Sequence, residues 1–100
     1  MDYTKEIEIM QHNLVYIRKT VNISGSRLGQ LIGLTKQSIS NIEHGRNTLT
    51  VPVYLAIRYV LDNDICPSCD EDERNMIKRL LSQKVECSTY LKSLSFEEES

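Results

Sequence analysis

Lys36, Gln37, Ser40, Asn41 and His44 fall within one short run, Thr35 to Gly45, and helical spacing puts all five on the same outward side. Gln and Asn each carry a donor beside an acceptor, which matches the N6 and N7 edge of adenine, and Lys suits the O6 and N7 acceptors of guanine. The same composition also describes a solvated surface helix, so the neighbouring residues must decide. A second group with chemical potential is Cys66-Pro67-Ser68-Cys69. Two residues between thiols let both sulfurs face one ion or each other.

The polar face needs a helix to display it. Thr35 is placed to accept a hydrogen bond from the amide of Gln37 or Ser38 at the helix start, and Gly45 offers the left-handed backbone that ends it. Ile39 and Ile42 form the apolar side. Just upstream, Ser24 is a good N-cap for another short helix, with Leu28, Leu31 and Ile32 as its apolar stripe and Gly33 as its stop. Gly33-Leu34-Thr35 is then a tight turn between two helices, the linkage of a helix-turn-helix whose second helix enters the major groove. Gly29 costs about 1 kcal/mol of helix propensity against Ala, which points to a close helix-helix approach.

The run I-S-G-S-R-L-G-Q-L-I-G-L-T-K-Q-S-I-S-N-I-E-H-G, Ile23 to Gly45, resembles the Cro/repressor-type helix-turn-helix, or Xre, family of bacterial and phage regulators. The joint pattern of Leu28, Gly33, Leu34, Ile39, Ile42, Glu43 and Gly45 carries the resemblance, which extends from Leu14 to about Leu61. It implies that Lys36, Gln37 and Asn41 touch bases, with Ser40 a further candidate. It implies phosphate contacts for Thr35, His44, Arg46, Asn47 and Thr48, and a structural ion pair between Arg18 and Glu43. Breaking such a pair when partly buried strands a charge, at a cost of about 3 to 5 kcal/mol. Two positions depart from the pattern. Gly25 stands where the family usually has a phosphate-binding Gln, leaving that contact to Ser24, Ser26 or Arg27. Arg58 stands where a small Ala is expected, so it either snorkels to a surface or marks a rotated helix.

The 100-residue chain carries a formal charge of −2, which at first argues against DNA. Its distribution removes the objection. Leu14 to Leu61 holds six basic residues against Glu43 alone, a balance of +5, while Asp62 to Ser100 balances at −5 and Met1 to Asn13 at −2. Positive charge is concentrated where the resemblance places DNA contacts. No apolar run approaches the roughly 20 residues of a membrane span, and the charged start lacks a signal-peptide core, so a cytoplasmic location is expected.

These features predict an all-α protein of five helices, with a Cro/repressor-like helix-turn-helix domain over residues 1 to 65 and a helical extension over 66 to 100. Ile7, Met10, Leu14, Ile17 and Val21 mark a first helix from about Thr4 to Thr20. Thr50 and Pro52 open a fourth, with Tyr54, Ile57 and Leu61 on one side, ending near Asn63. Ser68 with Glu71 suggests a capping box for a fifth. Ile77, Leu80, Leu91 and Leu94 fit a rough heptad pattern along that fifth helix. Leu80, Leu81, Leu91 and Leu94 are expected to line a homodimer interface, the alternative being that the helix packs back on its own domain. Phe96 to Ser100 is an acidic end.

Three readings of Cys66 and Cys69 stay open: reduced thiols in a turn, a redox pair, or zinc shared between two chains. A complete zinc site needs four ligands, and Cys87, His12 and His44 are poorly placed additions. No glycine phosphate loop or metalloprotease His pair is present, so neither an enzyme nor a cofactor is expected. Two function classes follow. One is a sequence-specific regulator, acting as a repressor on double-stranded DNA. The other is an interaction module or antitoxin-like subunit that docks a protein partner through the C-terminal helix.

Overall fold

A computed structural model describes residues 2 to 88 and residue 90. The described chain is all-helical: α1 (Thr4–Thr20), α2 (Gly25–Ile32), α3 (Lys36–Glu43), α4 (Val51–Val60) and α5 (Glu71–Ser82). Between α4 and α5 the chain passes through a π-helical turn, Leu61–Ile65, and a 3-10 turn, Cys66–Ser68. Among the described residues, no helix is long and apolar enough to cross a membrane.

Helix α1 is the organising element, packing on α3, α4 and, most extensively, α5. Its apolar row places Met10, Leu14 and Ile17 in the core. Leu28 from α2, Ile39 and Ile42 from α3, and Tyr54 and Ile57 from α4 join them there, as do Ile77 and Leu80 from α5. A boundary after residue 65 therefore falls in a turn, while the hydrophobic core runs across it.

The fifth helix differs from its sequence expectation at both ends. Ser68 belongs to the 3-10 turn, and the capping box forms two residues later. Asp70 Oδ1 accepts from the Glu73 amide at 2.8 Å, and Glu73 Oε1 accepts from the Asp70 amide at 3.0 Å. At the other end α5 stops at Ser82, and Gln83 is extended. Asn13, fully buried on α1, is the cause. Its Nδ2 donates to the carbonyls of Leu80 and Gln83, each at 2.7 Å, and its Oδ1 accepts from the Val85 amide at 3.0 Å. His12 Nε2 adds a bond to the Val85 carbonyl at 3.2 Å. The turn carries Tyr90 back to α1, where it stacks on Tyr16 with ring centroids 4.8 Å apart.

One helix reaching Leu94 is thus corrected to a shorter α5 followed by a turn. Leu80, expected on a dimer face, has no exposed surface, and Leu81 is half-buried against the same core. Leu91 and Leu94 lie outside the described residues.

The α2–α3 connection depends on two glycines. Gly33 adopts φ +80°, and a Cβ on Gly29 would stand 2.3 Å from the Leu34 carbonyl oxygen. That contact involves backbone, which cannot rotate away. Arg58 is half-buried, with Nη1 donating to the Tyr54 hydroxyl at 3.1 Å and Nε without a partner.

Two stability outcomes follow. Asn13→Ala strands the buried Leu80 carbonyl and Val85 amide and the partly buried Gln83 carbonyl, and thermal unfolding should report a loss on the order of 3 kcal/mol. An unchanged melting temperature would refute this role. Gly29→Ala should cost about 1 to 3 kcal/mol through overpacking, whereas Gly25→Ala should be neutral or slightly stabilising. A Cβ at Gly25 meets nothing nearer than Ile39 Cγ2 at 3.7 Å. Equal melting temperatures for the two variants would contradict the contrast.

Candidate nucleic-acid interface

Both short helices are capped by side chains. Ser24 Oγ accepts from the Arg27 amide, and Thr35 Oγ1 accepts from the Ser38 amide, each at 3.0 Å. Each bond satisfies a donor that a helix start leaves unpaired. Because Ile39 and Ile42 are buried, the rotation of α3 is determined and its opposite face turns outward.

On that face Lys36 and Gln37 are exposed, and Ser40 and Asn41 are half-buried. Gln37 Nε2 donates to Asn41 Oδ1 at 3.1 Å, joining the two amides one turn apart. Among the described residues, the side-chain oxygen Oε1 of Gln37 and the Nδ2 group of Asn41 have no hydrogen-bond partner. His44 Nδ1 donates to the Ser40 carbonyl at 2.8 Å, which directs Nε2 away from the helix backbone.

Around this face, Thr35, His44, Arg46, Asn47, Thr48 and Arg27 are all exposed. The Asn41 carbonyl accepts from the amides of Arg46 at 2.8 Å and Asn47 at 3.3 Å, so the loop starts from a defined position. Arg27 makes a long contact with Gln30, 3.5 Å. A Cβ at Gly25 would make ordinary van der Waals contact with Ile39 and Lys36.

Two side chains on α1 hold the far end of α3. Arg18 grips Glu43 with two bonds, Nε to Oε2 at 2.5 Å and Nη2 to Oε1 at 3.0 Å. With side chains only 17% and 9% exposed, the pair is substantially shielded from water. Arg18 Nη1 also donates to the Ile23 carbonyl at 3.2 Å, linking the α1–α2 turn to the same cluster. Gln11 was missed by sequence reasoning. Its Nε2 donates to the carbonyls of Ile42 (2.9 Å) and Asn47 (2.8 Å), and its Oε1 accepts from the Leu49 amide at 3.2 Å. Its signal was position: Gln11 and Arg18 are seven residues apart and share one side of α1.

The cysteines form a separate feature. Cys66 and Cys69 are half-buried free thiols, and the Cys69 thiol donates to the Ile65 carbonyl at 3.4 Å. Burial pushes both thiols above their ordinary range; Asp62 adds to this at Cys66, and Cys66 and Glu73 add to it at Cys69. Activated cysteines show the opposite shift. Among the described residues, no group of three or more His, Cys, Asp or Glu side chains could hold a metal ion. Arg74 Nε closes the turn by donating to the Cys66 carbonyl at 3.0 Å.

Compared with protein-family models, curated proteins and solved structures, the chain finds no match.

Raised thiol pKa values mean less thiolate at a given pH. Alkylation of Cys66 and Cys69 by iodoacetamide at pH 8 should therefore be several-fold slower in the folded protein than in denaturant. Equal rates, followed by peptide mass spectrometry, would contradict the shielding.

Proposed function

We propose that the chain is a sequence-specific DNA-binding regulator of the Xre helix-turn-helix type, acting as a repressor from the cytoplasm without a catalytic step. The observation that carries this reading is the outward face of α3. Lys36, Gln37 and Asn41 present hydrogen-bonding groups on a short helix that is capped at one end and clamped by Gln11 and Arg18 at the other. Held this way, the helix presents its groups without first having to be ordered, which lowers the entropic cost of recognition.

In this mechanism Gln37 and Asn41 read adenine edges and Lys36 reads guanine, while Ser40 adds a further contact. Thr35, Arg27, His44, Arg46, Asn47 and Thr48 bind the backbone and set the register. Arg18 and Glu43 act by positioning α3. The basic stretch from Leu14 to Leu61 supplies the attraction, and the acidic charge that follows limits sequence-independent binding.

Selection from a random duplex library supplies the ligand for the test. Gln37→Ala combined with Asn41→Ala should weaken the best duplex by roughly 30-fold or more, because each bidentate contact is worth about 1 to 3 kcal/mol. Arg46→Ala should weaken all duplexes alike and reduce the slope of log affinity against log salt by about 1. If the double variant binds with undiminished affinity and selectivity, the base-reading assignment is wrong.

A further inference from the structure

Among the described residues the exposed large hydrophobic side chains are Val51, Leu55 and Tyr59, at 42%, 44% and 65% exposure. Single exposed hydrophobics are ordinary features of a protein surface. These three are spaced four residues apart and therefore form one continuous row along α4. The opposite side of the helix, Tyr54, Ile57 and Val60, is sealed into the core, so the row cannot turn inward.

The charges at the ends of the row are unusual for an isolated helix. Thr50 makes no side-chain cap bond at the start of α4, no acidic residue lies in the first turn, and Arg58, the basic residue of the last turn, is half-buried and donates to the Tyr54 hydroxyl. The exposed Asp62 and Asp64 instead follow its C-terminal end. Negative charge there opposes the helix dipole. An antiparallel copy of the same helix reverses both mismatches, bringing each acidic end toward the partner's positive start. It also sets Leu55 opposite itself and Val51 opposite Tyr59 of the other copy. A parallel arrangement would place like ends together.

We propose that α4 is a self-association surface, on which two copies of this chain pair antiparallel about a twofold axis at Leu55. The contact is isologous, so one patch serves both partners. It replaces Leu80 and Leu81, which the core holds, as the dimer surface on the described part of the chain. Three side chains per copy make an area below that of a standard stable interface, so the dimer is weak and concentration-dependent.

This proposal concerns α4 alone and is measured without DNA, so its failure leaves the base-reading assignment of α3 standing, and the reverse also holds. Sedimentation equilibrium of the full chain should show a monomer–dimer equilibrium at micromolar to submillimolar concentration. Leu55→Glu should raise the dissociation constant at least tenfold, and Tyr59→Lys should raise it as well. Circular dichroism checks that each variant is folded, and Tyr59 is exposed enough for its replacement to be tolerated if Leu55→Glu is not. Leu91→Glu with Leu94→Glu should leave the dimer intact.

A second arm tests orientation. In a chain with Cys66, Cys69 and Cys87 replaced by Ser, Leu55→Cys should form a disulfide-linked dimer in oxidised glutathione. Val51→Cys alone should not, whereas a mixture of Val51→Cys and Tyr59→Cys chains should cross-link to each other. A wild-type chain that stays monomeric up to about 1 mM, the weak end of the affinity scale, overturns the proposal. So does a dimer that survives Leu55→Glu, a dimer lost only in the Leu91/Leu94 variant, or cross-linking of Val51→Cys to itself.

Discussion

A helix that ends inside a protein leaves amides unpaired at its start and carbonyls unpaired at its end, and shielding those groups from water without a partner is costly. In this chain the starts of α2, α3 and α5 are served locally, by Ser24, Thr35 and Asp70. The ends are served at long range by α1. Gln11 takes the carbonyl of Ile42 at the end of α3, and Asn13 takes those of Leu80 and Gln83 at the end of α5. One helix therefore serves the ends of two others, α3 and α5, and sets where the connecting chain goes next.

This division separates stability from positioning. Apolar contacts from Met10, Leu14 and Ile17 supply the burial that holds the helices together, but they are non-directional. Hydrogen bonds to Gln11 and Arg18 add direction, because each is satisfied only at one placement of α3. The bidentate Arg18–Glu43 pair need not add net stability, since its attraction is offset by the desolvation of both groups. Its consequence is geometric: α3 cannot slide or rotate without stranding a carboxylate. The proposed reading of bases depends on that restraint.

Charge and hydrophobicity are likewise distributed by surface. Positive residues gather on the segments around α2 and α3, whereas the exposed apolar row lies on α4. The acidic sequence after α4 begins at Asp62, beside the end of that row. A chain of this kind can present one face to a polyanion and a different one to its own copy.

Much of the local structure was legible in the sequence. The limits of α1 followed from its apolar periodicity, and Ser24, Thr35 and Gly33 marked the ends of α2 and α3, because caps and turns depend on residues only a few positions apart. Asn13 drew no notice in the sequence, although it lies three positions from Met10 on an apolar face. Its partners, up to 72 residues distant, were not legible there. The same gap explains α5: leucine spacing alone extended it to Leu94, whereas Asn13 ends it at Ser82 and encloses Leu80. Whether an apolar row faces a core or solvent is invisible to periodicity, so Leu80 looked available and Val51, Leu55 and Tyr59 drew no notice. Sequence by itself determined that the chain is helical, the caps of α2 and α3, and the polar composition of α3. Tertiary structure decided which faces are buried and where α5 ends, because those outcomes depend on polar groups and side chains brought together from distant parts of the chain.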